Sequence, residues 1–192
     1  MSAYFTYFPT VEHTGQILTD ITKRARFIET VASDPKVFLP YTIKEEESPE
    51  ELSHYYYGSV DYVWMIYLAN NIIDPYKDWP MNDRNFYAYI ADKYKTLSGE
   101  TEDYAVVAWT QDDTISDNIL YYQHVDDEEL RISSDSYTLA NQLDDSFVAG
   151  DWYPMRIYDA EYESNENKRV IQVVDEKYVN RVTEELRILM NE

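Results

Sequence analysis

The chain has 192 residues, 28% charged and 44% hydrophobic, which suits one domain or two small lobes rather than a disordered polymer. A formal net charge of -21, with only 16 basic residues spread along the sequence, argues against a surface that binds nucleic-acid phosphates. Cysteine is absent, which excludes disulfides and thiolate metal sites and suits assembly in a reducing cytosol.

The start, MSAYFTYFPTVEHTG, lacks the basic region and apolar run of a secretory signal. Residues 1–40 read as an extended docking segment. Tyr4, Phe5, Tyr7 and Phe8 cluster before Pro9, and an aromatic terminus of this kind is expected to dock on its own domain or on a neighbour. Asp20 to Val31 mixes basic and apolar residues and reads as a short helix or an irregular strand.

Residues 41–95 carry the clearest helical patterns. A short strand is expected at Tyr41-Thr42-Ile43. Ser48-Pro49-Glu50-Glu51 is a helix start with a capping box, and Gly58 suits a left-handed stop. This first helix carries Leu52, Tyr55 and Tyr56 on one side. A second helix is predicted from about Val60 to Ala69, with Val60, Val63, Trp64, Tyr67 and Leu68 as one stripe. Tyr62, Met65, Ile66 and Ala69 cover much of the remainder, so this helix is apolar nearly all round. No uncharged apolar stretch reaches the roughly 18–20 residues of a membrane span, because Asp61 and Asp74 bracket the longest run. Asp74-Pro75 and Trp79-Pro80 punctuate a loop. A third helix from about Asn82 has Phe86, Ile90 and Tyr94 at intervals of four.

Residues 96–192 switch to alternation with a period of two. The expected strands are Tyr104–Thr110, Ile119–Val125, Glu129–Ser133 and Met155–Glu163. The last is expected to pair with Lys168–Val174 through a turn at Ser164-Asn165-Glu166-Asn167. A helix from Asp175 to about Met190 closes the chain, with Tyr178, Val182, Leu186 and Leu189 as its seam and Glu184 paired with Arg187 outside.

Chemistry-bearing motifs are missing from the sequence. His13, His54 and His124 show no metal-ligand spacing. The pairs Asp112-Asp113, Asp126-Asp127 and Asp144-Asp145 lack the spacing of a calcium loop and read as solvated turns. No Gly-x-Ser-x-Gly elbow occurs, and 4 scattered glycines form no phosphate-cradling loop. The expectation is a non-enzyme with no catalytic, cofactor or metal residues. The 20 tyrosines, each an apolar ring with a hydrogen-bonding tip, suit a protein that works through interfaces.

The stretch Pro40-Tyr41-Thr42-Ile43, Ser48-Pro49-Glu50-Glu51-Leu52, Tyr57-Gly58, Trp64 and Leu68-Ala69-Asn70-Asn71 resembles a LysM module. That resemblance implies binding of N-acetylglucosamine-containing glycans such as peptidoglycan or chitooligosaccharide. The usual Pro-Gly turn and final strand after the double Asn are replaced here by Asp74 to Met81 and an apparent helix.

A longer resemblance spans almost the whole chain. Its marks are LTDI at Leu18–Ile21, FLPYTI at Phe38–Ile43, the YYG, YVW and LANNIIDPYKDWPM core, YYQH at Tyr121–His124 and the terminal NKRVIQVVDEKYVNRVTEELRILM. With these features the chain resembles the small baseplate wedge subunit of T-even-like contractile-tailed bacteriophages, the protein fifty-three family. The resemblance implies a structural virion protein of the tail baseplate, assembled in the host cytoplasm. It implies binding to other wedge subunits, including the wedge scaffold proteins and the sheath-proximal lysozyme-like subunit. It further implies joining of neighbouring wedges into a six-fold ring around the hub, with six copies or a multiple per baseplate. The expected architecture is α+β: a LysM-like helical module over 41–95, then a small antiparallel β-rich lobe over 96–192 ending in a helix. Partner-facing residues are expected at Tyr4, Phe5, Tyr7, Phe8, Tyr62, Met65, Ile66, Tyr76 and Trp79.

Overall fold

The computed structural model describes residues 3–22, 34 and 36–191, and shows an α+β chain of short helices and three antiparallel sheets. Two units emerge: unit 1 from residues 1–80 with 168–192, and unit 2 from residues 81–167. These divisions differ from breaks at residues 40 and 95, because the C-terminal strand and helix return to unit 1. Most of the expected element over Asp20 to Val31 lies outside the described residues.

Unit 1 starts with a 3-10 turn, Ala3–Tyr7, then a hairpin of β1 (Thr10–His13) and β2 (Gln16–Thr19). Its two-residue loop, Thr14-Gly15, has φ of 51° and 78°, the positive values that a type I′ turn requires. After the hairpin comes β3 (Phe38–Thr42), which tolerates Pro40 because, among the described residues, it has a strand on one side only. That partner is β7 (Val170–Val174), in register from Phe38 opposite Val174 to Thr42 opposite Val170. The hairpin expected between 155–163 and 168–174 therefore does not form. The alternation of Ile171 and Val173 towards the interior selects a partner distant in sequence.

Helix α1 (Pro49–Tyr57) forms as its sequence dictates. Ser48 accepts from the Glu51 amide at 3.2 Å, the Glu51 carboxylate accepts from the Ser48 amide at 3.0 Å, and Gly58 ends the helix at φ 75°. The Ser48 amide and hydroxyl together hold the Glu51 carboxyl below its usual range. Residues Val60–Tyr62 form a 3-10 turn rather than the first turn of a helix, and α2 runs from Val63 to Ala69. Val60 is consequently exposed, while the consecutive residues Trp64, Met65 and Ile66 are buried. Trp64 and Met65 enter one cluster with Phe8, Val37, Val174, Val182 and Leu186. Ile66 enters another with Ile43, Leu52, Trp79, Ile171 and Val173. The all-round apolarity of α2 is thus explained by two cores, one on each side of it.

The double Asn finishes α2. Ile72 donates its amide to the Tyr67 carbonyl at 2.9 Å, with Asn71 left-handed at φ 53°, as in a Schellman stop. The Asn70 amide group then clasps the free edge of β7. It donates to the Gln172 carbonyl and accepts from the Gln172 amide, both at 2.7 Å, and so stands in for a missing strand. A single turn, α3 (Pro75–Asp78), is capped by Asp74 where the sequence suggests a loop.

Unit 2 holds α4 (Asp83–Ser98), capped by Asn82, and α5 (Asp103–Gln111). Residues 104–110 were expected as a strand. Their Val106, Val107 and Thr110 are buried at helical spacing against α4, and that packing overrides β-branched propensity. A three-stranded sheet follows in the order β5 (Asp127–Ile132), β4 (Ile119–His124), β6 (Trp152–Arg156). Between β5 and β6 lies α6 (Ser134–Leu143), started by Ser133, which accepts from the Ser136 amide at 3.1 Å. The strand expected over Met155–Glu163 stops at Arg156, and α7 (Ile157–Asn167) takes over. Tyr158 and Tyr162, four apart, lay their rings against Phe86 on α4, which only a helix permits. Asn165 joins the ends of the unit. Its side chain accepts from the Met81 amide at 2.8 Å and donates to the Met81 carbonyl at 3.0 Å. Helix α8 (Val179–Asn191) completes unit 1, burying Val179, Val182, Leu186 and Met190, with Arg187 and Glu184 paired at 3.2 Å.

Candidate partner-binding surfaces

The N-terminal turn covers the first core of unit 1. The Tyr4 ring lies 4.9 Å from Phe8 and 5.6 Å from Trp64, and Tyr7 lies 6.2 Å from Trp64 with the Arg187 guanidinium 5.8 Å over its ring. Burial raises the phenol pKa of both tyrosines. The Trp64 indole N–H, beneath them, has no hydrogen-bond partner among the described residues.

Burial divides the residues expected to face partners. Phe8, Met65, Ile66 and Trp79 lie in the cores of this chain, 8% exposed or less, and offer little surface to a neighbour. Met65 and Ile66 fill the two clusters, and the Trp79 indole donates to the Glu47 carbonyl at 2.9 Å. Tyr4, Tyr7 and Tyr62 are half-buried, Phe5 is exposed over about half its surface, and Tyr76 stands in solvent at 93%. Tyr4, Phe5, Tyr7 and Phe8 converge on one patch, whereas Tyr76 sits on α3.

Sequence reasoning missed the more open surfaces. Every residue of β1 and β2 is exposed, including Val11, Ile17 and Leu18, and Ile21 beyond them is 71% exposed. Val11 faces Leu18 across the ribbon while Ile17 lies opposite Glu12, so apolar groups occupy both faces. A two-stranded ribbon with neither face covered is marginal in water by itself. The available signal was Thr14-Gly15 between two short β-branched runs.

The polar constellations are structural. Glu161 on α7 receives Lys93 at 2.7 Å, Tyr94 at 2.5 Å and Tyr89 at 3.0 Å, all from α4. Burial opposes ionisation of Glu161, but these donors outweigh it and hold the carboxyl below its ordinary range. Tyr94 is pushed up to about 12, by burial first and then by its bond to Glu161. Arg156 donates to the Asp113 carboxylate at 2.8 Å and to the buried Asn118 at 2.6 Å, stapling the loop after α5. Asn118 in turn donates to the carbonyls of Trp109 and Asp112. Among the described residues no three His, Asp or Glu side chains gather as a metal site, and no helix is long and apolar enough to cross a membrane. The three histidines stand on three different strands and helices, β1, α1 and β4.

The described residues thus combine small apolar cores, polar clusters that tie helices and loops together, and one uncovered apolar ribbon. Residues 5–189 match the family described as Base plate wedge protein 53, and the chain belongs to that family of structural proteins of the phage tail baseplate. Baseplate wedge protein gp53 of Enterobacteria phage T4 is 27% identical over 105 residues, which cover 50% of this chain and 54% of that relative. The match thus spans about half the length of the curated relative.

Proposed function

We propose that the chain acts by binding: it is a wedge subunit that holds other wedge proteins and helps join neighbouring wedges into the six-fold baseplate around the hub. Its partners in this reading are the wedge scaffold proteins and the sheath-proximal lysozyme-like subunit, with six copies or a multiple per baseplate, assembled in the host cytoplasm. The observation that carries the reading is the Thr10–Thr19 ribbon, which leaves Val11, Ile17 and Leu18 in solvent on both faces. Such a ribbon gains stability when a neighbour covers it.

The strand–helix–helix–strand set of β3, α1, α2 and β7 supports reading this part of unit 1 as a LysM-like packing module whose closing strand comes from far along the chain. The same order is the one feature that favours LysM-type glycan binding as a second reading. Titration with chitooligosaccharide separates the two, since saturable binding is expected only of the glycan adaptor.

Co-expression with the other wedge subunits tests the main reading. Native chain is expected in the purified wedge complex, and Val11→Ser with Leu18→Ser is expected to leave it without a change in unfolding midpoint. A native chain that enters no wedge complex overturns the proposal.

A further inference from the structure

The structure assigns a second docking surface, on α6 and the loop to Asp151 in unit 2, and we infer that its occupant is a basic, partly apolar surface of another baseplate protein. The inference rests on the binding role proposed above and names a different face for it.

Helix α6 buries none of its ten residues. It is held on one side by an aromatic hook: Tyr137 stacks on Tyr122 with centroids 3.7 Å apart and planes 3° from parallel, and Phe147 lies 5.5 Å from Tyr137 and 6.0 Å from Trp152. Leu139 and Leu143, four apart and so on one face, are 58% and 74% exposed, and Val148 in the loop is 57% exposed. Ten residues with the composition SDSYTLANQL make a weak helix in water. Covering its leucine face is the missing stabilisation.

Charge selects what covers it. From Ile132 to Met155 the sequence contains Asp135, Asp144, Asp145 and Asp151 and no Lys, Arg or His. The surrounding unit has 20 acidic and 5 basic residues, a net of -15. Four of those cations are already committed, Lys93 to Glu161, Lys95 to Asp103, Arg131 to Glu163 and Arg156 to Asp113. An acidic partner would be repelled, and a second copy of the chain would present the same four aspartates to itself. The complementary surface is an apolar contact for Leu139, Leu143 and Val148 rimmed by Lys or Arg.

A photo-crosslinking residue placed at Leu143 tests this in baseplates assembled from the full set of subunits. The expected product joins position 143 to a Lys- or Arg-containing segment of another baseplate protein. Baseplates that contain the chain but yield no link from position 143, a link to a second copy, or a link to a segment lacking Lys and Arg overturn the inference and leave the wedge role standing. A chain that never enters baseplates overturns both. Asp145→Lys with Asp151→Lys supplies a second readout: incorporation at least tenfold below native with an unchanged unfolding midpoint is expected. Undiminished incorporation counts against the surface.

Discussion

Unit 1 and unit 2 reach stability by different means. Unit 1 wraps α2 between apolar clusters of nine and six buried residues, whereas unit 2 has one cluster of seven among the described residues. Charge is divided just as unequally: 17 acids and 11 bases in unit 1 give a net of -6, against -15 in unit 2. Unit 2 compensates for a small core and self-repulsion with side-chain networks centred on Glu161, Arg156, Asn118 and Asn165. A strongly acidic unit can thus be held by a few well-satisfied polar residues where apolar area is short.

The largest expected effect lies in unit 1. Trp64→Ala removes a ring shared by the N-terminal turn and the first cluster and should cost on the order of 3–5 kcal/mol. Urea denaturation measures it, and a native midpoint would show that the apolar account of unit 1 is wrong. In unit 2, Glu161→Ala strips three donors of their acceptor and should cost about 1–3 kcal/mol, read by the same method. Acid tests the comparison without mutation. Because the folded pKa of Glu161 is lowered, its stabilisation is complete above the ordinary carboxylate range near about pH 4–5 and is lost as pH falls through the folded value. Acidification should therefore loosen the α4–α7 contact, and amide exchange of α4 and α7 reports whether it does. Tyr94 sets the opposite limb, its contribution being complete below about pH 10 and lost as pH rises through about 12.

Smaller effects sharpen the picture of unit 1. Asn70→Ala removes the clasp on β7 and should cost about 1–2 kcal/mol, with faster exchange at the Gln172 amide as its signature. Thr14→Gly relieves a β-branched residue from a positive φ and should stabilise the ribbon by roughly 1 kcal/mol, seen as slower exchange across β1 and β2. No change there would mean that the turn does not limit ribbon stability.

Local chemistry was readable from residue order. The Ser48 capping box, the Gly58 stop, the Phe86, Ile90 and Tyr94 seam and the Glu184–Arg187 pair all form from neighbours within one helix. Period-two alternation misled at Tyr104–Thr110 and after Arg156, where contacts with α4 choose helix over strand. The candidate surfaces were half legible. The aromatic cluster near residue 5 is visible in the sequence, but whether Phe8 or Phe5 is the more exposed depends on what Trp64 and α8 already cover.

Charge, caps, helical seams and the baseplate-family pattern are legible in residue order, because each is written in residue types at short spacing. Long-range packing chose the pairing of β7 with β3, the insertion in sequence of residues 81–167 within unit 1, and the burial of α2 on both sides. Those outcomes depend on contacts between segments up to a hundred or more residues apart, such as Asn70 with Gln172, and no local pattern encodes them.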